Sequence, residues 1–156
     1  MSADRQQAPW LPPRRFIRGF WFAHRALFRV TGGRVGLWGP KGNRYGTMRL
    51  TTVGRRSGQD RSVIVGYFED GANLVTTAMN GWADEDPAWW LNLQSHPDAR
   101  VDLPHGSRAV RARAADPQER SRLWAVWCQA DKNWDAHSQR RSGETAVVIL
   151  EPLAGS

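Results

Sequence analysis

One cysteine, Cys128, stands among 156 residues, so no internal disulfide can form. A reducing, cytoplasmic setting is therefore expected. Cys128 lies in an apolar helical stretch with no histidine beside it, which predicts a buried, inert thiol rather than a nucleophile. The histidines, His24, His96, His105 and His137, are scattered without zinc-ligand spacing, and no metal site is expected. There is no Walker A loop, no nucleophile elbow, and no glycine-rich turn opening a helix in the dinucleotide-binding pattern. No apolar run reaches the length of a membrane-spanning helix. The N-terminus shows neither the apolar region nor the small-residue cleavage site of a secretory signal. Acid is scarce at one end only. Residues 1–50 hold ten Lys and Arg against one acid, and the remainder hold twelve against fourteen, so the net charge of +7 belongs to the N-terminal third. A surface of that sign favours phosphates, polyanionic tails, anionic lipid or nucleic acid. Nucleic acid ranks last, because the basic excess is not interleaved with the aromatic residues.

What the chain does have is apolar content of 40% and nine tryptophans. The first supports one folded domain with one core. The second reads two ways, as core packing or as flat walls for a planar ligand.

Residues 1–13 read as a flexible arm with three prolines. Residues 14–31 read as a basic amphipathic helix. Phe16, Phe20, Ala23, Leu27 and Val30 recur at helical spacing, Arg14, Arg15, Arg18, Arg25 and Arg29 take the polar side, and Gly32-Gly33 ends it. Such a helix either packs on its own domain or lies on an anionic membrane surface. A loop over 32–46 leads into strands. Thr47–Val53 alternates, Arg61–Phe68 is apolar on both faces from Val63 on, Asp70-Gly71 marks a hairpin, and Asn73–Met79 returns. Asp86 followed by Pro87 predicts an N-cap with proline in the first turn, and the acidic cluster Asp84, Glu85 and Asp86 reads as helix N-terminal charge. Arg100–Leu103 and Ser107–Ala114 form a further hairpin. Asp116 to Glu119 is a capping box for a helix with Leu123, Trp127, Ala130 and Trp134 on its apolar face, and Thr145–Leu150 is the last strand. Hairpins with short helices on one antiparallel sheet predict an α+β fold and are compatible with closure into a barrel. One domain over 14–152, including the N-terminal helix, and a tail over 153–156 complete the expected organisation.

Three stretches can carry chemistry. Gly54-Arg55-Arg56-Ser57-Gly58-Gln59-Asp60-Arg61 combines glycines that permit tight turns with guanidinium forks and a hydroxyl, and it reads either as an anion cradle or as a hairpin loop with solvated arginines. Ala78-Met79-Asn80-Gly81-Trp82 ends a strand at a glycine that lets a ring approach the backbone, or is an ordinary Asn-Gly turn. Pro87 to Leu93 is a helix dense in tryptophan with one amide, Asn92, suited to walling a pocket, with Trp89 and Leu93 reading better as core.

In their order and spacing these stretches resemble the deazaflavin-dependent nitroreductase and quinone reductase family, over roughly residues 27–152. The resemblance begins at Thr31-Gly32-Gly33-Arg34. It is strongest over Leu50–Gln59 and over Asn80-Gly81 through Pro87-Ala88-Trp89 to Leu91-Asn92-Leu93, and it runs on through Pro97 to Glu151-Pro152. It implies a split β-barrel, the reduced deazaflavin coenzyme F420 as cofactor, and hydride transfer to an electron-poor acceptor such as a quinone, a nitro-compound or an activated enone. It further implies that Arg55, Arg56, Ser57, Gly58 and Arg61 hold the phosphate and glutamate tail of the coenzyme, and that Ala78, Met79, Asn80 and Gly81 approach its ring. No catalytic side chain is required, with solvent or His137 as a proton source. Relatives often carry serine where Met79 stands and glycine where Trp82 stands. Their acceptor-lining tyrosines are replaced here, the nearest equivalents being Trp134 and His137. The alternatives are an FMN-binding barrel reductase and a non-catalytic coenzyme carrier. A peripheral membrane position would bring the enzyme to a lipid-soluble quinone, and the oligomeric state is left open.

Overall fold

The structure, a computed structural model, describes residues 36–154. The expected arm, the N-terminal helix over 14–31 and the last two residues of the tail lie outside that range. Among the described residues nine elements follow in order. They are β1 (Gly46–Val53), β2 (Asp60–Asp70), β3 (Asn73–Thr77), α1 (Ala88–Ser95), β4 (Asp98–Leu103), β5 (Gly106–Ala114), α2 (Pro117–Ala130), α3 (Trp134–Ser138) and β6 (Val147–Pro152).

The strands close into an antiparallel barrel in the order β1-β2-β3-β6-β5-β4. Hairpins make three of the joins, and β1 closes on β4 through Arg49↔Asp102, Leu50↔Val101 and Thr51↔Arg100. Alternation along β1 sends Met48, Leu50 and Thr52 inward, each at most 1% exposed, while Arg49 stays half-buried. Val101 and Val110 join Leu74, Val148 and Leu150 in the same barrel core. Trp89, Trp90 and Leu93 of α1 join that core, so the helix packs onto the barrel.

Three expectations need correction. The returning strand stops at Thr77, because the chain bends at Ala78, where the Met79 N–H bonds back to the Thr77 carbonyl at 2.9 Å. The helix N-cap is Pro87, not Asp86, and no side chain caps it; the Asp86 carboxylate is drawn off by Arg141 at 2.7 Å. Leu123 and Trp127 share α2, but Trp134 begins a separate five-residue helix, because the α2 C-cap falls at Asp131. Half of the expected capping box forms: the Asp116 side chain accepts from the Glu119 N–H at 2.9 Å, while the Glu119 carboxylate accepts from Arg113 instead of reaching back to the Asp116 N–H. The bond from the Glu119 N–H is the main reason the Asp116 carboxyl titrates below the usual carboxylate range. Cys128 is half-buried, and burial first, then Asp135, pushes its thiol up, as an inert thiol requires.

Candidate functional site

Between β1 and β2 the chain makes the tight loop 54–59. The Gly54 N–H donates to the Gln59 carbonyl and the Gly58 N–H to the Gly54 carbonyl, each at 2.8 Å. Gly58 takes φ of 69°, which glycine adopts without steric cost. At Gly54 a Cβ would come within 2.7 Å of Ser57 Oγ, so the loop closes this tightly only on glycine. The result presents Arg55, Arg56 and Ser57 together, with Arg61 at the start of β2 beside them.

The loop is tied to α1 by one buried amide. Asn92, 4% exposed, accepts through Oδ1 from both the backbone N–H and the guanidinium of Arg55, at 3.1 Å each. Its Nδ2 donates to Thr52 Oγ1 at 3.1 Å. Arg55 is thereby held in place, while Arg56 and Arg61 have no carboxylate partner among the described residues.

From this loop a cleft of about 680 Å³ runs along β2 to the turn after β3. Its far end is lined by Met79, Asn80 and Gly81, and its walls include Trp89, Trp127, Trp134 and Tyr45. Trp127 and Trp134 stack with centroids 4.8 Å apart and planes 20° apart, and Tyr45 lies 5.7 Å from Trp127. Gly66 makes room for that tyrosine, since a Cβ there would stand 3.0 Å from Tyr45 Cδ2. The indole Nε1 atoms of Trp127 and Trp134 are buried without a hydrogen-bond partner among the described residues.

Of the residues singled out from sequence, Arg55, Arg56, Ser57, Arg61, Met79, Asn80, Gly81 and Trp134 therefore share one cleft. Gly58, Ala78, His137 and Trp82 do not line it. Gly58 shapes the loop backbone instead. Ala78 is fully buried, its N–H bonded to the Ala146 carbonyl and its own carbonyl to Arg141. His137 packs 6.3 Å from the Trp82 indole. Sequence reasoning missed Trp127, whose helical spacing marks it as core, and Tyr45, which sits in an unpatterned loop. Trp89, read as core, serves both core and cleft.

The cleft suits a long ligand with an anionic tail and a flat head. Arg56 and Arg61, without carboxylate partners among the described residues, stand with Arg55 at one end, and indole rings flank the rest. No cluster of metal-ligating side chains is found among the described residues.

An F420H(2)-dependent quinone reductase of Mycobacterium tuberculosis is 26% identical over 129 residues, spanning 81% of this chain and 85% of the relative. A second M. tuberculosis protein named for the same activity is 30% identical over 106 residues, spanning 68% of this chain and 89% of its own. Among solved structures, an F420-H2 dependent reductase superposes with a TM-score of 0.61 at 23% identity, covering 67% of this chain and 93% of that one. A domain-swapped dimer superposes with a TM-score of 0.65 at 22% identity, covering 90% and 100%. These similarities support a split-barrel fold, and both mycobacterial relatives are named for the deazaflavin rather than for FMN. The model of the F420H(2)-dependent quinone reductase family matches residues 21–152, so the chain belongs to that family and is an oxidoreductase using coenzyme F420 with quinone-type acceptors.

Proposed function

We propose that the cleft is the coenzyme site, with the arginine loop holding the anionic tail and the Met79–Gly81 turn flanking the ring. The observation that carries this reading is that one continuous cleft joins the two stretches. When bound, the reduced deazaflavin supplies a hydride for an electron-poor acceptor. Asn92 holds Arg55 before any ligand arrives, which lowers the ordering cost of binding the tail. Arg56 and Arg61 add charge that no carboxylate among the described residues neutralises. The N–H groups of Asn80 and Gly81, unbonded among the described residues, offer donors at the ring end. The stacked indoles of Trp127 and Trp134 exclude water and present a flat wall to a planar acceptor. His137 stands outside the cleft, so solvent is the proton source this reading favours.

The acceptor range extends, on this reading, from quinones to nitro-compounds and activated enones, because the wall recognises flatness rather than one functional group. Anaerobic mixing of the protein, reduced coenzyme and each acceptor in turn tests it. Reoxidation of the coenzyme with quinones and with at least one nitro-compound is expected. Tight binding without turnover of any acceptor would instead make the chain a carrier.

The basic excess of residues 1–50 supports a peripheral position on the inner, anionic face of the cell membrane, where a lipid-soluble quinone is found. Cosedimentation with anionic vesicles that disappears at high salt is expected. Equal binding to neutral vesicles would contradict it.

A further inference from the structure

The turn at the ring end of the cleft is strained, and one buried guanidinium grips both of its legs. The Ala83 N–H donates to the Asn80 carbonyl at 3.1 Å, closing a four-residue turn whose central residues, Gly81 and Trp82, have φ of 57° and 59°. Positive φ at both central positions is the pattern of a type I′ turn, which glycine, asparagine and aspartate dominate. For tryptophan this is an uncommon, unfavourable conformation that persists only where the surroundings over-determine it.

Two sets of contacts supply that determination. The Trp82 ring is 8% exposed and packs edge-on against Trp134 at 4.8 Å. Arg141 does the rest. Its side chain is 2% exposed, and its guanidinium donates to the Ala78 carbonyl at 3.2 Å on the leg entering the turn. It donates to the Asp84 carbonyl at 3.0 Å and to Asp86 Oδ1 at 2.7 Å on the leg leaving it. Thr145 Oγ1 accepts a further bond at 3.0 Å, and the Ser142 N–H bonds Asp84 Oδ1 at 2.7 Å. Backbone N–H bonding from Ser142 is the first reason the Asp84 carboxyl titrates low, so the carboxylate form keeps this tie at neutral pH. The Arg141 Nε is buried without a partner, an unsatisfied donor accepted for the sake of the others.

We infer that Arg141 is a positioning residue: by bridging Ala78 to Asp84 and Asp86 it holds the Asn80–Ala83 turn in its left-handed form and so sets the ring end of the cleft. Lysine cannot replace it, because one ammonium lacks the planar fork that reaches both legs. The assignment rests on the proposed reading of the cleft, and its test separates the two.

Arg141→Lys and the milder Asp86→Asn are compared with the parent and with an Arg55→Ala/Arg56→Ala double variant. Hydrogen exchange is measured along the chain, and binding is measured by fluorescence for the coenzyme and for a deazaflavin riboside lacking the phosphate and glutamate tail. In Arg141→Lys, exchange at 79–86 rises about tenfold with β1 and β2 unchanged, and both ligands weaken by a common factor of about five to ten. Asp86→Asn moves the same readouts in the same direction by less. The double arginine variant weakens only the tailed coenzyme. Exchange at 79–86 that stays at the parent rate in both Arg141→Lys and Asp86→Asn overturns the assignment, as does tailless binding within about twofold of the parent when the double variant behaves as expected. If the double variant binds the coenzyme like the parent, the reading of the cleft falls, and exchange at 79–86 still decides what Arg141 does.

Discussion

Asn92 carries an unusual share of the site for a single amide. It satisfies Arg55 on one side and buried Thr52 on the other, so its loss costs stability and loop order together. Asn92→Ala is expected to lower unfolding free energy by about 1–3 kcal/mol, the usual penalty for stripping a buried polar group of its partner. Coenzyme affinity should fall with it. Denaturant titration checks the first and fluorescence binding the second, and an unchanged midpoint would show that water replaces the amide freely. Asn92 was readable as the one polar residue in a tryptophan-rich helix, but nothing local ties it to a loop some forty residues earlier. The same limit applies to Trp82. The Asn80-Gly81 pair reads as a turn, yet a left-handed tryptophan is unreadable, because the packing and the Arg141 contacts that enforce it come from residues 134–145.

At the scale of the element, boundaries were legible where a side chain acts on its own neighbours. Asp116 caps α2 through the Glu119 N–H, as its spacing predicts. That bond depresses the Asp116 pKa, so its stabilisation is present above the unfolded value of about 3.9 and is lost as pH falls through the lower folded value. Asp116→Ala should therefore lower the melting temperature at neutral pH and flatten the loss of stability on acidification below about pH 4. Melting curves at several pH values check this, and parallel acid profiles for parent and variant would contradict it. Asp86 shows the opposite case. Its place before Pro87 has the form of a cap, but a buried guanidinium fifty-five residues later in the chain takes the carboxylate. A local pattern cannot reveal a competitor that only the tertiary fold delivers.

Across the whole molecule, alternation and turn residues announced most of the strands and were compatible with closure, while the pairing that closes the barrel did not show. The joins β1 to β4 and β3 to β6 connect segments far apart in sequence, and their register follows from burying Leu50 against Val101 and Leu74 against Leu150 rather than from any turn. Closure also brings the loop at 54–59 and the turn at 79–81 onto one cleft, which makes two weak motifs into one site. The most direct test of that site is a fluorescence titration of the full chain with the deazaflavin coenzyme, with FMN in parallel, for the parent and for Arg55→Ala/Arg56→Ala at low and high salt. The account predicts that the deazaflavin binds and FMN does not. It also predicts that the double variant loses a few kcal/mol, about a hundredfold in affinity, and that salt weakens the parent more than the variant. Coenzyme binding unchanged by the double substitution, or FMN bound as tightly as the deazaflavin, would contradict it.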